Sequence, residues 1–548
     1  MKTFFIAALI LTFVSCSAPN PAYDIVVRGG TIYDGSGEPS FSGDVAIKDD
    51  RIAKIGEVKG KGRIEVDAEG MAVSPGFINM LSWANVSLLE DGRSQSDIRQ
   101  GVTLEVMGEG RSMGPLSEDM KEEMRENQGD IKFDIEWTSL GEYLQYLEDK
   151  GVSTNVASFI GNGTLRRYAI GYDAREATEE EMETMKMLTR QAMEEGAVGI
   201  SSALLYTPSM HANTEELIEL ASVVSEFNGM YTSHIRNEGD YLLESLDELL
   251  EIGAKADVHA EVYHLKASGQ QNWDKMDVAI QKIDSARQAG QSVTADIYTY
   301  NASSTGLHVQ LPDWVRKGGI EQMIERLKDP AIKQRVLEEM EFRNPPSTIL
   351  LVGFKNEELR VHIGKYLNEV AEELEKTAEE TVIDLITDDD SRIQVVYFSM
   401  SEENILKKAV IPWVSFCSDA GSYTNEGVFI KQSTHPRAYG SFIRVLGKFV
   451  RDEQIMSMEE GIRKLTSLPA TNLKLKERGL LKEGYFADVV IFDPEEVTDK
   501  ATFQAPHQYA TGVKHVFVNG GHVLKDGEHT GATPGRFVKG PGWKPSAE

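Results

Sequence analysis

From Tyr23 the chain runs in short stretches of alternating apolar and polar residues, YDIVVRGGTIYDGSGEPSFSGDVAIKDDRIAKIGEV, separated by Gly and Asp clusters. Alternation with a period of two between turn-forming residues predicts β-strands joined by tight turns. The same texture returns near the C-terminus in GYFADVVIFDP and GVKHVFVNGGHVLKDGEHTGATPGR. The two β-rich ends, 23–75 and 475–548, are therefore expected to build one small β-sandwich between them.

Residues 76–474 follow a different rhythm. Short β-branched runs recur, among them STNVASFIG, AVGISSALL, GMYTSHIR, DVHAEVYHLK, QSVTADIYTY and VIPWVSFCSD. Between them lie amphipathic stretches such as TEEEMETMKMLTRQAMEEG and TEELIELASVVSEFNG, the latter with apolar residues at helical spacing. Strand, polar loop and helix in repeated order predict an α/β fold, a distorted (β/α)8 barrel of the TIM type. In that architecture chemistry collects at the C-terminal ends of the strands, so the polar residues that close each run are the candidates. Around 307–367, with LPDWVRKGG and FRNPPST, the rhythm breaks, and an insertion over the barrel mouth is expected.

A length of 548 residues accommodates a barrel with an accessory domain. A chain that is 41% hydrophobic and 26% charged is ordinary globular protein, which excludes bulk disorder. The net charge of -30 repels phosphate backbones, so it argues against a nucleic-acid partner.

The first residues read MKTFFIAALILTFVSCSAPNPAYD. Lys2 supplies a short positive region, and the largely apolar run Phe4 to Val14 is too short to span a bilayer, so residues 1–16 read as an export signal. Ser15-Cys16 at its end resembles a bacterial lipoprotein site, which implies membrane attachment through a lipidated Cys16 and a periplasmic or cell-surface location. Simple secretion is the alternative. Cys417 is the only other cysteine, so lipidation of Cys16 leaves no intrachain disulfide.

Three runs end in residues suited to a metal: VMGEG in Glu109, YTSHIRNEGD with His234, and EVYHLKASG with His264. A lone histidine in an apolar strand is more often a packed core residue. Two at successive strand ends, with a carboxylate at a third, suit zinc with one position open for water. SFCSDAGS places Asp419 at the last barrel strand, where it reads as a general base or as a helix N-cap. Lys266 and Arg437 are candidate anchors for an anionic substrate group, each on its own also readable as surface charge.

In order, SPGFIN, GVTLEVMGEG, GNGTLRRYAIG, GAVGISSALLYTP, YTSHIRNEGD, YHLKASG, DIYTYNASST, CSDAGS, THPRAYGSFIRVLGKFVRD, LTSLPA, ADVVIFDP and PGR resemble the D-aminoacylase (N-acyl-D-amino-acid deacylase) family of the amidohydrolase superfamily. The resemblance covers nearly the whole chain and implies a distorted (β/α)8 barrel with a small β-sandwich from both termini. It implies a metal site of Glu109, His234 and His264, with Glu109 where many relatives have Cys, and Asp419 as the catalytic acid-base. It places Tyr206, Lys266, Tyr298 and Arg437 in segments lining the substrate pocket, Lys266 and Arg437 holding the α-carboxylate. The expected activity is hydrolysis of N-acyl-D-amino acids with one zinc per chain.

The chain departs from the family at the first barrel strand, where an Asp-x-His-x-His segment normally supplies a further metal site. Here Asn79, Leu81 and Trp83 stand in SPGFINMLSWANVS. Leu has no donor atom and an indole offers only an N–H. Drift and specialisation for one metal both account for the change, and Trp83 is expected to line the pocket or plug the vacant site. Asn162 replaces a further family His. Hydrolysis of another amide (a dipeptide, a lactam or a cyclic imide) and a catalytically inactive surface binding protein remain the alternative readings.

Overall fold

A computed structural model describes residues 21–545. The expected export signal, residues 1–16, and the expected lipidation site at Cys16 lie outside the described residues.

Both ends of the chain enter one nine-stranded sheet. The N-terminal part gives Tyr23–Ile32, Phe41–Lys48, Arg51–Gly56, Gly62–Asp67 and Ala72–Pro75, and the C-terminal part gives Val489–Phe492, Val513–Val518, Gly521–Lys525 and Glu528–His529. The two parts join where Ala72–Pro75 pairs antiparallel with Val489–Phe492. The outer strand Arg51–Gly56 is tied back to the C-terminal part by Ile52 N–H donating to Tyr485 O at 2.9 Å, so the sheet curls around a core containing Ile25, Val45, Ile47, Val73, Val489 and Phe517.

Eight parallel strands make the barrel: Phe77–Ser82, Val102–Met107, Asn155–Ser158 continuing at Ile160–Gly161, Gly199–Ala203, Met230–His234, His259–Val262, Val293–Ile297 and Val414–Phe416. Most are buried along their whole length, which is why they read as continuous apolar runs rather than alternating ones. The eighth strand meets the first just past its end: Asp419 N–H donates to Leu81 O at 3.0 Å and Trp83 N–H to Ala420 O at 2.9 Å. The amphipathic stretches form helices as expected. Glu179–Glu195 begins with a capping box of Thr178 and Glu181, and its next residue, Gly196, takes φ +114° to end it. Thr214–Ser225 is capped by the Asn213 side chain.

The break in the rhythm is wider than 307–367. It runs from Ser303 to Tyr397 and carries its own antiparallel sheet, ordered Ser303–Gly306, Gln394–Tyr397, Ile349–Gly353. Helices Ile320–Lys328, Pro330–Glu339, Leu367–Glu373 and Ala378–Asp389 pack on it around Leu307, Met323, Ile324, Leu351, Val382 and Ile386. Its last helix and strand look locally like one more barrel repeat, and only the antiparallel pairing sets them apart. Arg360 clamps this layer to the loop after the second barrel strand through both oxygens of Asp130, at 3.0 and 2.9 Å. Insertion and barrel together enclose a cleft of about 2610 Å³.

Candidate active site

The cleft floor is built from the C-terminal ends of the barrel strands. Glu109 follows the second strand, His234 ends the fifth, and His264 lies just past the sixth. Gly110 beside Glu109 has φ +59°, and a Cβ there would sit 2.4 Å from the Ala203 Cβ, so only glycine lets this loop close against the fourth strand. Glu109, His234 and His264 each offer a ligand atom within 4.8 Å of the others, and all three are buried. Glu109 Oε1 is the shared point, 3.0 Å from His234 Nδ1 and 3.1 Å from His264 Nε2. One carboxylate oxygen and two imidazole nitrogens converging in this way fit a zinc ion with room for a further ligand. Burial alone would raise the Glu109 carboxyl, but the hydrogen bonds with His234 and His264 hold it well below the usual carboxylate range.

Backbone strain marks two of these positions. His264 has φ +35° and Asp419 has φ +47°, the left-handed region that non-glycine residues seldom enter. Beneath His264, Asp296 Oδ1 accepts its backbone N–H at 2.6 Å and the Cys417 Sγ–H at 3.2 Å, which holds the turn.

Asp419 faces the cluster and is bridged to it by Trp83. The indole Nε1–H donates to Glu109 Oε2 at 3.0 Å and to Asp419 Oδ1 at 3.1 Å. The ring is 40% exposed, so it lines the cleft wall and is not a core plug. Arg437 Nη1 approaches Asp419 Oδ2 to 2.7 Å as an ion pair. Its Nε is buried and has no partner among the described residues. Burial opposes the Arg437 charge, yet Asp419 and Tyr298 more than offset it and raise its pKa.

Lys266 is also buried and already engaged, with Glu238 Oε1 at 2.6 Å and His264 Nδ1 at 2.7 Å. Tyr298 lies beneath both cations, its ring centroid 4.6 Å from the Arg437 guanidinium carbon and 5.6 Å from Lys266 Nζ, while its hydroxyl turns away to Met400 Sδ. Tyr206 stands edge-on to His234 with centroids 5.2 Å apart, and its hydroxyl bonds Thr305 of the insertion at 2.8 Å. Tyr206, Lys266, Tyr298 and Arg437 all line the cleft with the metal-suited cluster.

Glu238 was not singled out in the sequence. Its Oε1 lies 3.1 Å from His264 Nδ1 and orients that imidazole from behind, while His234 Nε2, 3.7 Å from Oε2, is beyond hydrogen-bond reach. Its acidic position four residues after His234, in HIRNEGD, was the available signal. Asn162 is fully buried with its amide on Glu216 Oε1 at 3.2 Å, beside the buried Arg166–Glu216 pair, and is a structural residue.

An Amidohydrolase family model matches residues 433–524. The D-aminoacylase of Alcaligenes xylosoxydans xylosoxydans is 32% identical over 94% of this chain and 97% of its own length. A solved D-aminoacylase, described for one-metal activation and second-metal attenuation of its binuclear metal center, is 31% identical, covers 94% of this chain and all of its own, and superposes with a TM-score of 0.78. The N-acyl-D-Glutamate Deacylase of Bordetella Bronchiseptica, solved with zinc and a phosphonate mimic of the tetrahedral intermediate, is 30% identical over 94% of this chain and 99% of its own, with a TM-score of 0.80. Over nearly its whole length, therefore, the chain belongs to the D-aminoacylase (N-acyl-D-amino-acid deacylase) family of the amidohydrolase superfamily.

Proposed function

We propose that this protein hydrolyses the amide bond of N-acyl-D-amino acids, releasing a carboxylic acid and a D-amino acid, with one zinc per chain. The observation that carries the reading is the convergence of Glu109 Oε1, His234 Nδ1 and His264 Nε2 opposite Asp419. Zinc held by those three residues supplies Lewis-acid polarisation of the amide carbonyl and a water of lowered pKa. Asp419 accepts the proton of the attacking water and returns it to the departing amine. It can do both because each carboxylate oxygen keeps a lone pair beyond the one facing Trp83 or Arg437. Arg437, with its unpartnered Nε, holds the substrate α-carboxylate over the Tyr298 ring, and Lys266 adds positive potential from behind. Export, with a lipid anchor at Cys16, belongs to the same proposal and rests on the N-terminal sequence.

The donor set also separates this reading from that of an inactive binding protein, because a decayed centre has no reason to keep three converging ligands and an adjoining carboxylate. The test is metal analysis of purified protein with a panel of N-acetyl-D- and N-acetyl-L-amino acids. About one zinc per chain with turnover of D-substrates is expected. Zinc-loaded protein that hydrolyses no member of the panel would refute the reading.

A further inference from the structure

Lys408 sits on the helix Glu402–Ala409, just ahead of the eighth barrel strand, and is 1% exposed. Among the described residues no carboxylate comes within ion-pair reach of its amine, and its one hydrogen bond goes to Leu265 O. Burial, and then the nearby Lys266 charge, push its pKa down to about 7, against Glu238 and Cys417. A buried amine beside a like charge is costly, and an apolar side chain of similar length would avoid that cost. All of it stands against a single contact.

That contact falls between two residues of the site. Leu265 joins His264, a metal-suited imidazole, to Lys266. His264 has φ +35°, and past it the chain leaves the barrel ladder, so that among the described residues no backbone N–H reaches Leu265 O. Lys408 Nζ supplies the donor, and it donates whether or not the amine is charged. Left-handed backbone at a non-glycine residue persists only where its surroundings over-determine it. Here Asp296 Oδ1 accepts the His264 N–H at 2.6 Å, Asp296 O accepts the Leu265 N–H at 3.0 Å, and Lys408 takes the remaining carbonyl. The same helix is fixed to the rest of this loop, where Asn404 Nδ2 donates to Trp273 O at 2.9 Å.

We infer that Lys408 is a positioning residue, which through the Leu265 carbonyl fixes the turn from His264 to Lys266 and so aims the His264 ring at Glu109 and Lys266 at Glu238. It does not line the cleft and acts only through that turn. The inference rests on the zinc-centre reading and adds to it a residue outside the first ring of contacts.

Lys408→Met removes the amine and keeps the length of the side chain. Tm should hold or rise, because a volume-conserving change also relieves a buried charge. Zinc Kd, measured by chelator competition on the full chain, should weaken about tenfold, the scale for removing a group that orients a metal ligand. In metal-free protein, hydrogen exchange of the amides from His264 to Lys266 should quicken about tenfold, since the turn opens more readily. Lys408→Gln, which keeps an N–H, should recover most of the zinc affinity. Lys464 is the control: it is 0% exposed, with its Nζ on Ile411 O, and Lys464→Met should leave zinc Kd within about twofold of the wild type. Should Lys408→Met not fold, Lys408→Leu takes its place in the same measurements. An unchanged zinc Kd, unchanged exchange at the turn, or an equal loss in Lys464→Met overturns the inference. Wild-type protein that binds zinc and hydrolyses no D-amide would sink the activity reading alone, and wild-type protein that binds no zinc would leave the exchange measurement to decide this one.

Discussion

Replacing Trp83 with Phe isolates one proton at the centre of the site. The ring stays, and only the N–H shared by Glu109 Oε2 and Asp419 Oδ1 is lost. Hydrogen bonds to charged groups contribute about 1.5–3 kcal/mol. The ring is 40% exposed, so water can replace part of the contact, which puts the loss near the lower bound. About 1.5 kcal/mol of lost positioning at Asp419 corresponds to roughly a tenfold fall in kcat. Folding should barely change, since a half-exposed ring swapped for a similar one stays within about 0.5 kcal/mol. Zinc should remain at one per chain, because none of the three metal-suited side chains is altered. The assay is steady-state release of free amine from an N-acyl-D-amino acid, with metal analysis and thermal denaturation of the same preparation. An unchanged kcat would show that the indole N–H does not position Asp419. A second bound zinc in Trp83→Phe would show instead that the indole keeps a metal out.

Asp419→Asn should keep its zinc and lose at least about a hundredfold in kcat, the usual scale for a general base; loss of zinc would make Asp419 a ligand. Glu238→Gln keeps the shape but removes the charge that faces Lys266 and both imidazoles, so zinc affinity should fall about 10–100-fold in a chelator competition, and an unchanged Kd would deny Glu238 its orienting role. Burial pushes the Asp97 carboxyl up to about 7, against about 3.9 for an unfolded Asp, so its contribution to stability is full below about pH 4 and is lost as pH rises through 7. Asp97→Asn should therefore flatten the decline in Tm between pH 5 and pH 8; a slope equal to the wild type's would mean that other groups set it.

Much of this was legible in the sequence because the barrel's physics is local. A parallel strand buried on both faces needs an unbroken apolar run, and the polar residue that ends the run sits at the rim, which is how His234 and Asp419 stand out. Other features depend on the closing of the barrel. The width of the insertion was hidden because Ala378–Asp389, with its own capping box of Thr377 and Glu380, and Gln394–Tyr397 have ordinary helix and strand patterns. What removes them from the barrel is the pairing of Gln394–Tyr397 with Ser303–Gly306 and Ile349–Gly353. Glu238 reads as loop acid until the sixth strand brings His264 against it.

The first-strand residues bear on whether the departure from the family is drift or specialisation. Asn79 is fully buried and fully used: its amide donates to Glu105 Oε2 at 3.1 Å and Ser418 Oγ at 2.8 Å, and its carbonyl accepts Ser418 N–H at 2.9 Å. It thus ties the first strand to the eighth, directly before Asp419. An Asp there would add a third buried carboxyl beside Glu105 and Asp97, a pair in which burial already raises both pKa values. Leu81 is closed off in the core, and its carbonyl accepts the Asp419 N–H that holds that residue's left-handed turn. Trp83 spans the two carboxylates with a neutral donor. Each of the three positions thus supports the residues around Glu109 and Asp419 in a way that needs no second metal. Drift would be expected to leave gaps or unpaired groups along the strand, and none of these three side chains is unpaired among the described residues. The pattern favours a centre rebuilt around one metal.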